Sequence, residues 1–337
     1  MLSDRRQRVL AALIEEYVAR ALPVGSRTLT EHYQLGVSPA TVRNELSVLE
    51  EEGYLTQPHT SAGRIPTDYG YRAFVDELLA EEDPSEEDED YRKVVEELRS
   101  SASELDRLLE QTSEKLTRLT DCLSIVLAPS VLNLHIKQLS LISLTPYRAL
   151  IVLVTEDGHV FNRQMEVSVP VSSDSLARVQ NLLGNAFAGK SLQDIEAGLG
   201  EGVLEAFHDP LVRMVLTEVL NCLQDNELSR SHRVGMGALL TKPEFSQSES
   251  LLPIMQVLDD DTVLLQILDE ATEGEGDLSV HIGHENAAEQ LSGVSVVSSR
   301  YGRGSSAGVV AVIGPTRMDY SKVIRAVRIA SSALEDM

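Results

Sequence analysis

Three helical stretches and one extended hairpin can be read from the spacing of apolar residues in the first 75 positions. Val9, Leu10, Leu13, Ile14, Tyr17 and Val18 fall on one side of a first helix, and Arg27 to Tyr33 makes a shorter second one opened by Gly25 and Ser26. In the third, Val42, Leu46 and Leu49 recur at steps of four and three, which buries one face and leaves Thr41, Arg43, Asn44 and Ser47 on the other. Both ends of this helix are marked. Ser38 can cap it with a hydroxyl, Pro39 takes the first helical position where no N–H is needed, and Gly53 can adopt the left-handed conformation that stops it. Tyr54 and Leu55 then begin an extended run.

Gly36, just before the third helix, suits the tight turn of a helix-turn-helix. His59 to Arg64 then reads as the tip of a two-stranded wing, with Gly63 letting backbone approach phosphate and Arg64 placed to reach a groove. The helices alone are equally a hairpin with a solvated polar face. Cap, proline, glycine stop and an arginine-bearing glycine wing, in that order, favour a DNA reader over residues 1–75.

Beyond the reader, Asp76 to Asp90 holds ten acidic residues and no basic one, and reads as a solvated linker over 76–90. A heptad seam follows: Tyr91, Val95, Leu98, Ala102, Leu105, Leu109, Thr112, Leu116, Leu119 and Leu123. It fits either a coiled coil between subunits or one long helix laid on its own domain's sheet. From Leu134 the pattern alternates as strands do, with Asp157 and Gly158 at a hairpin turn, and residues 174–229 return to helix. VLLQIL, LSVHIG, VSVVSSRYG and GVVAVIG read as strands, and Tyr320 to Leu334 as a closing helix. The order implies an α+β domain built from 91–169 and 251–337, interrupted by a mainly helical insertion at 170–250.

The 337 residues suffice for two or three domains, and 42% hydrophobic with 24% charged content is ordinary for a folded soluble chain. A net charge of −24 looks hostile to a polyanion, but it is unevenly placed. Residues 1–75 set eight arginines and no lysine against nine acidic residues, a balance of −1, which leaves −23 to the other 262 residues. Arg5, Arg6, Arg8, Arg43 and Arg64 are the candidate phosphate or base contacts. A reader this close to neutral binds weakly alone, so two copies on two half-sites are expected.

Chemistry finds little support. Cys122 and Cys222 are too isolated for a disulfide framework or a zinc site, and the eight histidines show no metal-ligand spacing. His281 to His284 spell HIGH, as in class I aminoacyl-tRNA synthetases, but the tetrapeptide lies late in the chain and no lysine-rich partner loop occurs. YGRGSSAG, Tyr301 to Gly308, lacks the GK[ST] ending of a phosphate loop and reads as a hairpin connection. No catalytic residue, metal or cofactor is expected. No run approaches a membrane span and the N-terminus does not resemble a signal peptide, so a cytoplasmic protein is expected.

TSAGRIPTDYGYRAFVDELL near one end, with HIGHENAAEQLSGVSVVSSRYG and GVVAVIGPTRMDYSKVI near the other, resemble the HrcA family of bacterial heat-inducible transcription repressors. The resemblance implies a winged helix-turn-helix, then a GAF-like α+β domain with an inserted dimerising domain. It also implies a homodimer that binds an inverted-repeat operator near chaperone promoters, with a GroE-type chaperonin keeping the repressor active until heat diverts it. By similarity the DNA-contacting segments hold Ser38, Thr41, Arg43, Asn44 and Ser47 in the helix and His59, Ser61, Gly63 and Arg64 in the wing. Which side chain touches a base is inferred from helix faces. GPTRM, Gly314 to Met318, closes a strand before the final helix rather than holding a ligand. The acidic run Glu81 to Asp90 and the serines around Ser305 depart from the family pattern and receive no role. The rival reading is a small-molecule-responsive regulator that senses through the GAF-like domain.

Overall fold

The computed structural model describes residues 2–59, 62–81, 105–129, 131–156, 158–198, 209–228, 231–246, 248–260, 263–264, 266–268, 278–302 and 307–335. It divides into two compact units. The first takes Met1–Leu127, His232–Tyr301 and Val309–Met337, and the second Ala128–Ser231 with Gly302–Gly308.

The first unit begins with α1 (Asp4–Arg20), α2 (Ser26–His32) and α3 (Pro39–Glu51), followed by the short antiparallel pair β1 (Leu55–Thr56) and β2 (Ile65–Pro66). Ser38 accepts the Thr41 N–H at 3.2 Å, and Gly53, at φ +85°, ends α3 as its sequence position requires. Val9, Leu13, Ile14, Leu29, Val42, Leu46 and Leu49 close a core between the three helices. Burying each such side chain is worth about 1.5–3 kcal/mol. α4 (Asp68–Glu81) leaves the hairpin, and α5 (Leu105–Thr120) leads into β3 (Leu123–Leu127).

Within the described residues the heptad seam serves its own unit. Leu109, Thr112 and Leu116 are buried where α5 packs on β3 and the C-terminal helix. Leu123 stands in β3 beyond the end of α5, while the seam positions from Tyr91 to Ala102 lie outside the described residues.

In the second unit β4 (Ile136–Thr145), β5 (Arg148–Thr155) and β6 (Val160–Glu166) form an antiparallel meander. Helices α6 (Ser173–Phe187), α7 (Leu192–Gly198) and α8 (Pro210–Leu228) complete it. Ile151, Leu153 and Met165 meet Leu183, Val215 and Val219 in its core, and Gln180 on α6 accepts the Leu141 N–H of edge strand β4 at 2.8 Å. Here the structure differs from the sequence reading. Residues 136–166 lie with the helices of 173–228 rather than with the larger sheet, and residues 232–250 belong to the first unit. β5 and β6 alternate between covered and open positions whereas β3, β9 and β10 are buried almost throughout, but which strands pair is a long-range matter that local periodicity does not carry.

Returning to the first unit, β7 (Ser231–Val234) is followed by α9 (Met236–Leu240), α10 (Ser248–Asp259), β8 (Leu278–Ile282), β9 (Val294–Tyr301), β10 (Gly308–Pro315) and α11 (Tyr320–Glu335). Five strands make one sheet in the order β7-β3-β10-β9-β8. One face, with Ile125, Val296, Ala311 and Ile313, is packed against Leu239, Ile254 and Leu258, and α5 and α11 cover the other. The expected strand VLLQIL is helical at 263–264 and 266–268. Leu264 and Leu268, four apart, are both fully buried against this face, which is the helical solution for a short apolar run that also suits a strand. Cys122 is buried in contact with Gly314, and burial pushes its thiol up to about 11, so it stays protonated.

At the β7 edge, Ser113 and Thr117 of α5 donate to the carbonyls of His232 and Val234, at 2.9 and 2.8 Å. Four residues of helix rise about 6 Å and two of strand about 6.6 Å, so the two ladders match in pitch.

Candidate nucleic-acid interface

α3 is held by three arginine clamps, and they sort the expected contact residues into two groups. Arg5 and Arg6 of α1 both reach Glu45, at 2.5 and 3.1 Å, and Arg6 also meets Glu52 at 3.3 Å. Burial alone would raise the Glu45 carboxyl, but the two guanidinia outweigh it and hold it below the usual carboxylate range. Arg8 donates to the Gln34 carbonyl at 3.2 Å. Arg5 and Arg6, read from the sequence as phosphate contacts, are engaged in fixing α3 to α1, while Arg8 meets only the carbonyl of Gln34 in the turn before α3.

Arg64 is likewise turned inward. Its Nε donates to Glu50 at 2.9 Å and its Nη2 to Ser47 Oγ at 3.3 Å, with the side chain 17% exposed. It fastens the hairpin to α3. Val24 and Arg64 exchange backbone hydrogen bonds at 2.9 Å in both directions, so the chain before α2 lies alongside the hairpin as a third extended segment. Gly63 is glycine because of that pairing: a Cβ there would lie 2.5 Å from the Val24 carbonyl.

Ser38 and Thr41 are occupied with capping, their hydroxyls 3.0 Å apart, and Ser47 Oγ donates to the Arg43 carbonyl at 3.1 Å while receiving Arg64. His59 is exposed, and its carbonyl accepts the Ala62 N–H at 2.8 Å to close the hairpin turn. Ser61 lies outside the described residues. That leaves Arg43 and Asn44, both exposed on α3, with side chains that meet no partner among the described residues. Arg27 on α2 shares this condition and was not singled out by sequence. Its position in the helix that crosses the backbone in helix-turn-helix complexes is the signal that would have found it.

Among the described residues no three His, Cys, Asp or Glu are grouped to hold a metal ion, and no helix is long and apolar enough to cross a membrane.

Comparison with known proteins decides the family. Residues 106–324 match the model of the HrcA protein C-terminal domain. The chain belongs to the HrcA family. HrcA relatives described as heat-inducible transcription repressors include that of Streptomyces avermitilis, 41% identical over 97% of this chain and 96% of its own. That of Carboxydothermus hydrogenoformans is 35% identical over 100% and 98%. Among solved structures, a crystal structure of a hypothetical protein is 25% identical, with a TM-score of 0.65 over 100% of this chain and 98% of that one. Membership in HrcA makes this an α+β transcription repressor of the heat-inducible class.

Proposed function

We propose that this HrcA chain is a cytoplasmic homodimer that represses chaperone operons by setting two winged-helix readers on an inverted-repeat operator near their promoters. The observation that carries the proposal is the sorting of arginines on and around α3. Arg5, Arg6 and Arg64 are matched by carboxylates, while Arg43, beside Asn44, is left exposed at the N-terminal half of the helix. Arg and Asn are the side chains that pair bidentately with guanine and adenine edges in a major groove. Arg27 would meet phosphate. His59, at the hairpin turn, would meet the backbone or minor groove, as would Ser61 by the family resemblance, and Ser38 and Thr41 would meet phosphate through the helix N-terminus.

The second unit is our candidate for the dimer contact, in place of the 170–250 segment. Ile142, Leu144, Tyr147 and Val169 are all exposed by about half or more around one end of its meander, and an apolar group of this kind is what a partner covers. The five-stranded unit is the GAF-like domain. Its inner face is filled by Leu239, Leu264 and Leu268, which favours a structural role there over ligand sensing. A GroE-type chaperonin as modulator, and loss of repression on heating, follow from the family resemblance.

A mobility-shift assay on the chaperone promoters of the source organism, with chaperonin supplied, tests the reading. Freshly refolded protein is expected to retard the inverted repeat, and no retardation would overturn it. Arg43→Ala is expected to cost about 1–3 kcal/mol per half-site on operator DNA and much less on random DNA. Equal losses on both would reduce Arg43 to a phosphate contact.

A further inference from the structure

The HIGH tetrapeptide, which the repressor function leaves unexplained, is the socket on which the reader sits. β8 is the outer strand of the five-stranded sheet, and it ends in a 3-10 turn at Gly283–Glu285. Asp68, the first residue of α4, accepts both the backbone N–H of His284, at 3.2 Å, and its Nδ1, at 2.8 Å. One turn on, Arg72 donates through Nε to Glu285 at 2.8 Å, through Nη2 to the same carboxylate, and through Nη2 to the Val280 carbonyl on the open side of β8 at 2.5 Å. Gly283, at φ +53°, has no room for a side chain, since a Cβ would fall 2.2 Å from Asp68 Oδ2.

α4 is in turn fused to the hairpin. Thr67 donates to the Gly53 carbonyl at 2.7 Å and accepts the Gly70 N–H at 3.1 Å. Gly70 lies so close to the Tyr54 carbonyl that a Cβ would overlap it at 2.1 Å, and the rings of Tyr54 and Tyr69 stack at 4.5 Å. Whatever fixes the angle of α4 therefore fixes the angle of α3. A second strut is Arg317, which bridges the Val18 carbonyl at the end of α1, at 3.0 Å, to Glu244. Between the struts the rings of Tyr71 and Tyr320 meet at 5.6 Å, yet the Tyr71 hydroxyl is buried with no partner among the described residues. An unpaired buried hydroxyl weakens the centre of the joint, so its polar rim must hold the angle.

We propose that Arg72 and Asp68 are positioning residues that set the spacing between half-sites, by locking the reader to the β8 edge at one angle. The inference rests on the reading above, a dimer on an inverted repeat. A reader held rigidly accepts one separation of half-sites, whereas a reader on a loosened joint accepts several, each with less gain from the second contact.

The test uses full-length protein and a set of duplexes carrying the chaperone-promoter inverted repeat with its spacer lengthened or shortened one base pair at a time, plus a single half-site. Wild type is expected to show one sharp optimum. Arg72→Ala removes the charge contacts and Gly283→Ala wedges the joint open, so two unlike lesions should give one result. Affinity at the best spacing is expected to fall about tenfold and the optimum to flatten, with the single half-site bound as by wild type. Melting curves on both variants establish that they are folded, and Glu285→Gln, which keeps the shape and loses the charge, is expected to lie between them and wild type. A wild-type spacing profile in both folded variants, or a matching loss on the single half-site, overturns the inference alone. Absence of a spacing optimum in wild type overturns it together with the dimeric reading.

Discussion

The two outer strands of the five-stranded sheet, β7 and β8, solve one problem with opposite chemistry. Each leaves carbonyls open to the side, and each is followed at once by a glycine with positive φ, Gly235 at +102° and Gly283 at +53°. At β7 the cover is α5, which packs on the same sheet, with two neutral hydroxyls, one of them on the fully buried Ser113. At β8 the cover is the reader's helix, with a guanidinium and a carboxylate on side chains that remain a quarter to a third exposed. Neutral buried contacts come apart only when the sheet does. Charged, half-wet ones can open while the sheet stays intact. The edge that must be permanent is thus distinguished from the edge that joins two working parts.

Substitutions can break this comparison, and they rank by effect. The largest is expected from Gly235→Ala, whose new Cβ would lie 2.7 Å from both the Cys122 carbonyl oxygen and the Thr117 methyl. Backbone cannot swing aside, so urea unfolding should show a loss of roughly 2–5 kcal/mol. Next comes the pair Ser113→Ala with Thr117→Ala, which strips two edge carbonyls of their donors and should cost about 2 kcal/mol. Gly283→Ala follows at about 1 kcal/mol, because the obstacle is the Asp68 carboxylate, which can rotate away at the expense of the joint. If Gly283→Ala destabilised the fold as much as Gly235→Ala, the distinction between the edges would fail.

The smallest effect is the one pH reads. Burial would raise the Glu285 carboxyl, but Arg72 and the Ile282 N–H prevail and hold it below its ordinary value near 4.5. A carboxylate depressed by folding adds stability above its unfolded pKa and loses it as pH falls through the folded one. The gap in urea midpoint between wild type and Glu285→Gln should therefore be full at pH 7 and close as pH falls below about 4.5, with a size of about 0.5 kcal/mol because the pair is solvent-screened. No such pH-dependent gap should arise from Ser113 or Thr117, which do not titrate in this range.

Local signals carried the reader's outline. Ser38, Pro39, Gly36 and Gly53 each dictate a backbone conformation on their own, and the helices and turns they imply are present. The division of the later chain was not legible in the same way. β4 to β6 are partly open where β3, β9 and β10 are buried almost throughout, yet only pairing across more than a hundred residues, as between β3 and β10, assigns each strand to its sheet. The candidate contacts split for the same reason. Arg43 and Asn44 face outward by helix geometry alone, whereas the partners that draw in Arg5, Arg6 and Arg64 are 40, 39 and 14 positions away. Arg317 and the HIGH turn owe their roles to contacts 299 and 216 residues distant, beyond any reading of spacing.

Of the eight arginines in residues 1–75, Arg5, Arg6, Arg20, Arg64 and Arg72 are already neutralised by carboxylates of the same chain. Among the described residues no carboxylate meets Arg8, Arg27 or Arg43, and these three remain to displace counterions. With about 0.9 released per phosphate met, the logarithm of affinity should fall against that of salt with a slope of roughly −3 per reader. On the proposed reading, random DNA, which offers charge and nothing else, is expected to hold little of the protein. Little repressor would then be lost to the rest of the chromosome, so a small pool is expected to fill the proposed operators and a modest loss from it to empty them.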